Sequence, residues 1–167
     1  MCARVILGIV KNAILLFSHG SLLCGAGENL SNVARQMRER GDAEIVEAGY
    51  LNYSEPLFAE AFTRCVEQGA TRVTVVPYFL VAGKFVKVDL PREVEKVQRN
   101  FPEIEVRLAD AMRFHPSLAD AIVGSASRAQ PPSAWRDILK TAPQFCKSNP
   151  DCPLYDTPRC PRTGGAV

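Results

Sequence analysis

The sequence lacks several features that mark particular classes of protein. Its 167 residues carry a formal net charge of only +2 at pH 7, so the chain has no strong positive field for nucleic acid, and we expect no nucleic-acid partner. No apolar run is long enough to span a membrane: the first one is broken by Lys11, and no small-residue cleavage pattern precedes the first predicted strand. We therefore expect a cytoplasmic protein with no membrane partner.

Several catalytic and nucleotide-binding motifs are also absent. Ser18 and Ser21 flank one of the two histidines, His19, but neither serine lies in a Gly-x-Ser-x-Gly elbow, which argues against a serine hydrolase. Leu30 occupies the third glycine position of a dinucleotide loop that would begin at Gly25, and no Gly-Lys-Ser/Thr follows for a phosphate-binding loop. A flexible turn is the better interpretation of this segment.

The six cysteines fall into two groups. Without an export signal we expect reduced thiols or metal ligands rather than disulfides. Cys146, Cys152 and Cys160 lie together in a proline-rich terminal segment, where three thiolates are compatible with an iron-sulfur cluster or zinc. No Cys-x-x-Cys pair is present, so a fourth ligand would have to come from Cys24, a partner chain or another residue type. Thiols without a metal are the alternative.

Apolar runs alternate with segments of helical periodicity four times along the chain. This pattern predicts an α/β fold with a four-stranded parallel sheet flanked by helices. The predicted strands are AILLFS from Ala13, EIVEAGYL from Glu44, RVTVVPYFL from Arg72 and IEVRLADAM from Ile104. Seven of the twelve prolines follow residue 128. We therefore predict an α/β domain over residues 1–128 and a Pro/Cys-rich extension over residues 129–167.

Local signals predict how these elements begin and end. We expect helices over residues 29–40, 90–101 and 117–128, and a loop over residues 81–89. A further helix should begin at Ser54, which would cap free amides, with Pro56 in its first turn and Gly69 at its end. The third strand is rich in β-branched residues and should be buried on both faces.

Candidate functional residues follow the predicted strands. Ligands of open α/β sheets bind outside the carboxyl ends of the strands, and His19 lies at such an end, where its imidazole could take a proton or a divalent metal. Capping of a turn is the alternative role. Lys84, Lys87 and Arg113 could hold the carboxylates of an anionic ligand, with solvated surface charges as the alternative. For the second histidine, His115, a turn or capping role is favoured over metal ligation.

Three motifs, taken in order, resemble those of a known family. They are SHGS after the first strand, PYFLVAGKFVKVDLP at the third and FHPSLADAI after the fourth. Over residues 13–127 the chain resembles the class II tetrapyrrole chelatases, the sirohydrochlorin cobaltochelatases and ferrochelatases of the CbiX and SirB type. The resemblance implies a chelatase-like half-domain that pairs as a homodimer. Its implied activity is that of a lyase that inserts cobalt or ferrous iron into sirohydrochlorin in cobalamin or siroheme biosynthesis.

The resemblance also implies roles for individual residues. His19 would be both the catalytic residue and the metal ligand, since a neutral imidazole suits metal delivery and proton transfer. The tetrapyrrole, which carries many carboxylates, would contact Ser18, Ser21, Tyr50, Tyr53, Lys84, Lys87 and Arg113. The chain departs from the family pattern at two positions: Phe85 stands where a second histidine is usual, and Asn52 where a glutamate is usual. A non-catalytic tetrapyrrole- or metal-binding protein, or an iron-sulfur protein that uses the C-terminal cysteines, are the alternatives.

Overall fold

Strands and helices alternate along the chain in a computed structural model, which describes residues 10–21, 27–113, 115–133, 150–152, 155–157 and 160. The strands are β1 (Asn12–Ser18), β2 (Ile45–Tyr50), β3 (Arg72–Pro77) and β4 (Glu105–Leu108). The α-helices are α1 (Glu28–Arg40), α2 (Phe58–Glu67), α3 (Leu90–Asn100) and α4 (Ser117–Ala126). The boundary predicted between residues 128 and 129 stays a prediction.

The four strands run parallel in the order β2-β1-β3-β4, which confirms the predicted α/β fold with a four-stranded parallel sheet. β1 is central and pairs on both sides: its Leu15 lies opposite Glu47 of β2 and opposite Val75 of β3. Because the strands are parallel, their carboxyl ends all lie along one edge of the sheet. We call this the carboxyl edge.

The two faces of the sheet carry separate cores. Successive residues of a strand point to opposite faces, so Leu15 and Phe17 of β1 pack with α2 and α3, whereas Leu16 packs with α1. The larger core contains the fully buried Phe58 and Phe62 of α2. Truncation of a buried phenylalanine to alanine costs about 3–5 kcal/mol in general, so the aromatic side chains make this the face that contributes more to stability.

β3 is less buried than its composition suggests. Its buried residues, Val73, Val75 and Pro77, alternate with half-buried ones. The buried set faces α2 and α3, while α1 packs over β1 and β2 and reaches β3 at Val76. The expectation that β3 is buried on both faces was wrong, because one of its faces is only partly covered.

α2 does not begin at Ser54, the N-cap that the sequence predicts. Its N-cap is Leu57, whose backbone N–H donates to the Glu60 carboxylate (3.0 Å). Ser54 is therefore not the cap, since its hydroxyl bonds the loop after β1 instead. Pro56 lies outside the first turn, and its carbonyl accepts a hydrogen bond from the N–H of Tyr50 (3.0 Å).

A π-helical turn, Phe85–Asp89, occupies most of the segment predicted to be a loop. It runs directly into α3, and the Gly83 carbonyl accepts hydrogen bonds from the N–H groups of Val86 (3.1 Å) and Lys87 (2.9 Å). The loop expectation was wrong because the Leu90 N–H also donates to the Phe85 carbonyl, an i→i+5 bond that extends the helix by one wide turn toward the carboxyl edge. Such π-helical turns occur frequently at functional sites.

Two local predictions about helix ends are confirmed. Gly69 follows α2 with a φ of 88°, a left-handed value that glycine adopts at little cost, and its N–H donates to the Val66 carbonyl (2.8 Å). His115 precedes Pro116, the N-cap of α4, and its Nδ1 accepts a hydrogen bond from the N–H of Ser117 (3.3 Å). The second histidine therefore has a structural role at a helix start.

The last strand and the last helix expose apolar side chains. α4 has no buried residue, and Ile122 and Val123 on it are 68% and 67% exposed. Leu108 of the edge strand β4 is also exposed. In the part of the chain that the structure describes, no helix has both the length and the apolar character to cross a membrane.

The thiol of Cys65 generates a prediction about pH. Burial raises the pKa of Cys65 to about 12 from an ordinary value of 9.0, and the Glu47 carboxylate adds to the rise. The folded chain thus keeps a thiol proton that the unfolded chain loses above about pH 9. Burial of the neutral thiol therefore contributes fully to stability below that pH, and this contribution is lost as the pH rises toward about 12. The free energy of unfolding should therefore fall more steeply from about pH 8 to about pH 10.5 in the parent chain than in Cys65→Ala. Urea unfolding checks this, and parallel curves for the two chains would contradict it.

Gly20 generates a prediction about the loop after β1. Its φ is 82°, and an added Cβ would lie 1.7 Å from the backbone oxygen of Asn52. Gly41 is a matched control, because its φ is 74° and its added Cβ would meet nothing within 4 Å. Gly41→Ala should lower the free energy of unfolding by about 1–2 kcal/mol through backbone strain alone, and Gly20→Ala by about 3 kcal/mol or more. Equal losses in urea unfolding would show that the loop moves aside without cost.

Candidate active site

Backbone hydrogen bonds join the turns that follow the four strands at the carboxyl edge. The carbonyls of Ser18 and His19 accept from the N–H groups of Leu51 (2.9 Å) and Asn52 (3.2 Å), which ties the first turn to the second. The Phe17 carbonyl accepts from the N–H of Tyr78 (2.7 Å), which ties it to the third. In the same way, the Phe79 carbonyl accepts from Met112 (2.9 Å) and joins the third turn to the fourth. Functional side chains on these turns are therefore held on one connected backbone.

His19 is exposed at this edge and lies among aromatic rings. Its imidazole stacks on the ring of Phe85, with centroids 5.3 Å apart and planes 16° apart, and lies 6.0 Å from the ring of Phe79. The two phenylalanine rings are themselves 6.1 Å apart and inclined by 27°. We call these three side chains the aromatic triangle. The two phenylalanine rings present a partly exposed apolar surface beside the imidazole of His19, which can bind a proton or a metal ion.

The aromatic triangle is anchored in the larger core. The ring of Phe79 lies 5.9 Å from that of Phe17, which in turn meets Phe58 of α2 edge to face at 5.6 Å. Phe17 and Phe58 are fully buried. The surface rings therefore rest on a rigid base, which favours a fixed geometry around His19.

Three cationic side chains lie on two of the joined turns. Lys84 directly precedes Phe85, Lys87 follows within the π-helical turn, and Arg113 follows Met112, which is bonded to the third turn. All three are exposed. Separate exposed charges of this kind bind a single carboxylate weakly, but a ligand with several carboxylates can use all of them at once.

Tyr50 does not face the carboxyl edge as the sequence suggested. It is 2% exposed, and its hydroxyl donates to the Gly27 carbonyl (2.6 Å) just before α1. Burial raises its pKa, and a hydrogen bond with Ser31 opposes that rise. Tyr50 therefore holds the loop before α1 against the sheet, and we leave it out of the proposed substrate site.

The remaining polar positions lie on the first two turns. Ser18 is half-buried, and the Ser21 N–H donates to the Ser54 hydroxyl (3.1 Å), which in turn donates to the Ser21 carbonyl (3.4 Å). These bonds join the two turns beyond His19. Tyr53 is 61% exposed and has a φ of 62°, so its ring is open to a ligand.

The sequence did not reveal the contacts of Phe79 and Phe85 with His19. The sequence identifies Phe85 only as a residue in place of a histidine. Other apolar residues of the segment that follows β3 are exposed, namely Tyr78, Leu80, Val81 and Val88. Apolar residues in a segment that leaves a strand at the carboxyl edge are the signal that could have indicated an apolar ligand surface.

The cysteine cluster stays a prediction. In the described parts of the chain, no three histidine, cysteine, aspartate or glutamate side chains form a group that could hold a metal ion. Cys152 is half-buried and Cys160 is buried, whereas Cys146 lies outside the described residues, as does Cys24. Nothing in the comparisons below supports an iron-sulfur cluster.

Comparisons with known proteins agree with the resemblance noted in the sequence. The chain is 39% identical to the sirohydrochlorin cobaltochelatase of Methanocaldococcus jannaschii over 53% of its own length and 62% of that protein. It is 30% identical to the chloroplastic sirohydrochlorin ferrochelatase of Arabidopsis thaliana over 69% of its own length and 54% of that protein. The chain therefore spans less than two thirds of these curated relatives.

A solved structure shows the same likeness in three dimensions. The sirohydrochlorin chelatase SirB of Bacillus subtilis subspecies spizizenii, in complex with cobalt, superposes with a TM-score of 0.66 and 26% identity. The alignment covers 71% of this chain and 51% of SirB. Residues 13–129 match the family model described as CbiX. Because that match takes in well over half of the residues, the chain belongs to the CbiX family of class II chelatases.

Proposed function

We propose that this chain inserts a divalent metal ion, cobalt or ferrous iron, into sirohydrochlorin or a closely related tetrapyrrole. The observation that carries the proposal is the exposed imidazole of His19 at the carboxyl edge, inside the region that matches CbiX. Its relatives, a sirohydrochlorin cobaltochelatase and a sirohydrochlorin ferrochelatase, support the substrate class and both metals. A cytoplasmic location and a place in cobalamin or siroheme biosynthesis are parts of the same proposal.

His19 has two tasks in the proposed reaction. The free metal ion and the tetrapyrrole become a metallated tetrapyrrole, and two protons leave the pyrrole nitrogens. A ring nitrogen of neutral His19 replaces one water of the metal ion and presents the ion to the macrocycle. Once the ion has moved on, the same nitrogen accepts the two pyrrole protons one after the other and passes each to solvent, which reaches the ring because His19 is exposed.

The other residues of the site bind and orient the substrate in this proposal. Lys84, Lys87 and Arg113 pair with carboxylates around the rim of the macrocycle. The aromatic triangle contacts its flat face. Hydrogen-bonding groups come from Ser18, Ser21 and Tyr53 on the first two turns.

We propose a second copy of this chain as the protein partner. SirB is about twice as long as the part that this chain covers, so a second unit of the same size has a counterpart there. α4 has no buried residue, and its exposed Ile122 and Val123, with Leu108 of β4, supply an apolar surface for a homodimer.

A non-catalytic binding protein is the second candidate. The observation that favours it is Phe85, which stacks on His19 and has no atom that can ligate a metal. In that case the macrocycle would bind, with a shift in its absorbance spectrum, but the rate of metal insertion would not exceed that of the metal and the macrocycle alone.

The two histidines supply a matched test of the enzymatic proposal. We expect His19→Ala to lower the rate of cobalt or iron insertion into sirohydrochlorin by about 100-fold or more, the usual size of a general acid-base contribution. His115→Ala removes only a hydrogen bond to Ser117 at the start of α4 and should keep nearly the full rate. The rate is followed anaerobically by absorbance and compared with a reaction without protein.

Two results of this test would contradict a catalytic role. One is a parent rate equal to the protein-free rate, which would favour the binding candidate. The other is an equal rate in His19→Ala and the parent chain.

The proposed homodimer is tested by charge on α4. The double variant Ile122→Glu/Val123→Glu should be a monomer, because a dimer would bury two carboxylates in an apolar interface. Gln98→Glu on the exposed side of α3 is the control and should leave the dimer intact. Light scattering during gel filtration gives the mass, and a monomeric parent chain would contradict the proposal.

A further inference from the structure

Phe85 lies directly beside His19, the residue proposed to receive the metal ion. Its ring is stacked on the imidazole at 5.3 Å and is still 39% exposed. The ring of Phe85 covers one face of the imidazole. The edge of the imidazole, which carries its two nitrogens, remains open to a ligand. Phe85 cannot donate an electron pair to a metal ion, so it adds nothing to metal affinity.

A single exposed imidazole holds a divalent ion weakly. Catalytic metal sites in proteins usually supply three ligands. Across the described residues, no group of three suitable side chains surrounds His19 or any other position. The pyrrole nitrogens and carboxylates of a tetrapyrrole are then the groups that can complete the coordination of an ion on His19.

The same stacked rings favour the binding of the flat macrocycle. Phe85 and Phe79 expose aromatic surface beside His19, and Leu80 and Val81, which follow Phe79 in the chain, are exposed apolar residues. Aromatic stacking contributes about 0.5–1.5 kcal/mol per pair. The cations Lys84 and Lys87, on the same turn, add attraction for carboxylates at the rim.

We propose that Phe85 sets the order of binding: the tetrapyrrole binds first, stacked on the aromatic triangle, and the divalent ion is captured second, between His19 and the macrocycle. This inference rests on the proposed function, and it assigns to Phe85 the role of a residue that positions substrate and determines specificity. A site with enough protein ligands can bind the metal ion without the macrocycle. The site around His19 binds the ion only when the macrocycle is already present, in a ternary complex.

The first experiment measures the binding of Co²⁺ alone to the full chain by calorimetry. We expect the parent chain and His19→Ala to bind Co²⁺ equally, within about twofold, since one imidazole adds little. Phe85→His should bind Co²⁺ at least about tenfold more tightly, because it places a second imidazole beside the first. The double variant Phe85→His/His19→Ala should lose that gain.

The second experiment measures the binding of metal-free sirohydrochlorin by absorbance titration. Phe85→Leu keeps the apolar volume but loses the ring, and it should bind the macrocycle about two- to tenfold more weakly. Phe85→Tyr keeps the ring and should bind like the parent chain. Co²⁺ should bind with His19-dependent affinity only after the macrocycle has been added.

Two results would overturn the binding order while leaving the proposed function intact. One is tight, His19-dependent binding of Co²⁺ to the parent chain without macrocycle. The other is equal macrocycle affinity in Phe85→Leu and the parent chain, together with normal metal insertion. Failure of the parent chain to bind sirohydrochlorin would instead overturn the proposed function and the order together.

Discussion

The pairing of β1 with a strand on each side is the constraint on which the site depends. Hydrogen bonds to β2 and β3 fix the backbone of β1 up to its last residues. Phe17, two residues before His19, is fully buried beneath Phe58 and Phe79. Beyond the strand, the His19 carbonyl is bonded to Asn52. An exposed imidazole is thereby carried by a backbone that cannot shift without breaking the central ladders, which is how an open site keeps a defined geometry.

The chemistry around that imidazole is more apolar than is usual for a metal site. Phe79 and Phe85 flank His19 as aromatic rings, while Lys84 and Lys87 lie on the same turn as Phe85 and Arg113 lies on the next turn. Each exposed cation contributes little by itself. A ligand that is flat in the middle and carries several carboxylates at its rim fits this distribution, because it contacts the rings and the cations at once. The tetrapyrrole of the proposed reaction is a ligand of this kind.

Sequence reasoning succeeded where the relevant forces were local. The alternation of apolar runs with segments of helical periodicity is a pattern of residues only a few positions apart in the chain. It predicted the parallel sheet and the edge at which His19 lies. It failed where a side chain had a choice of partners. Ser54 could cap a helix next to it, but its hydroxyl bonds Ser21 instead. Tyr50 ends a strand at the carboxyl edge, yet it points to the α1 side and donates to Gly27.

By itself, the sequence determined the α/β class, the four strands and the position of His19 at the end of the first, since each follows from spacing between neighbouring residues. Only the tertiary structure decided that Phe85 lies against His19. That contact requires β3 to pair directly beside β1 and the segment after β3 to form a π-helical turn that continues into α3. Strand order and helix register are set by the packing of the whole core, and no local pattern encodes them.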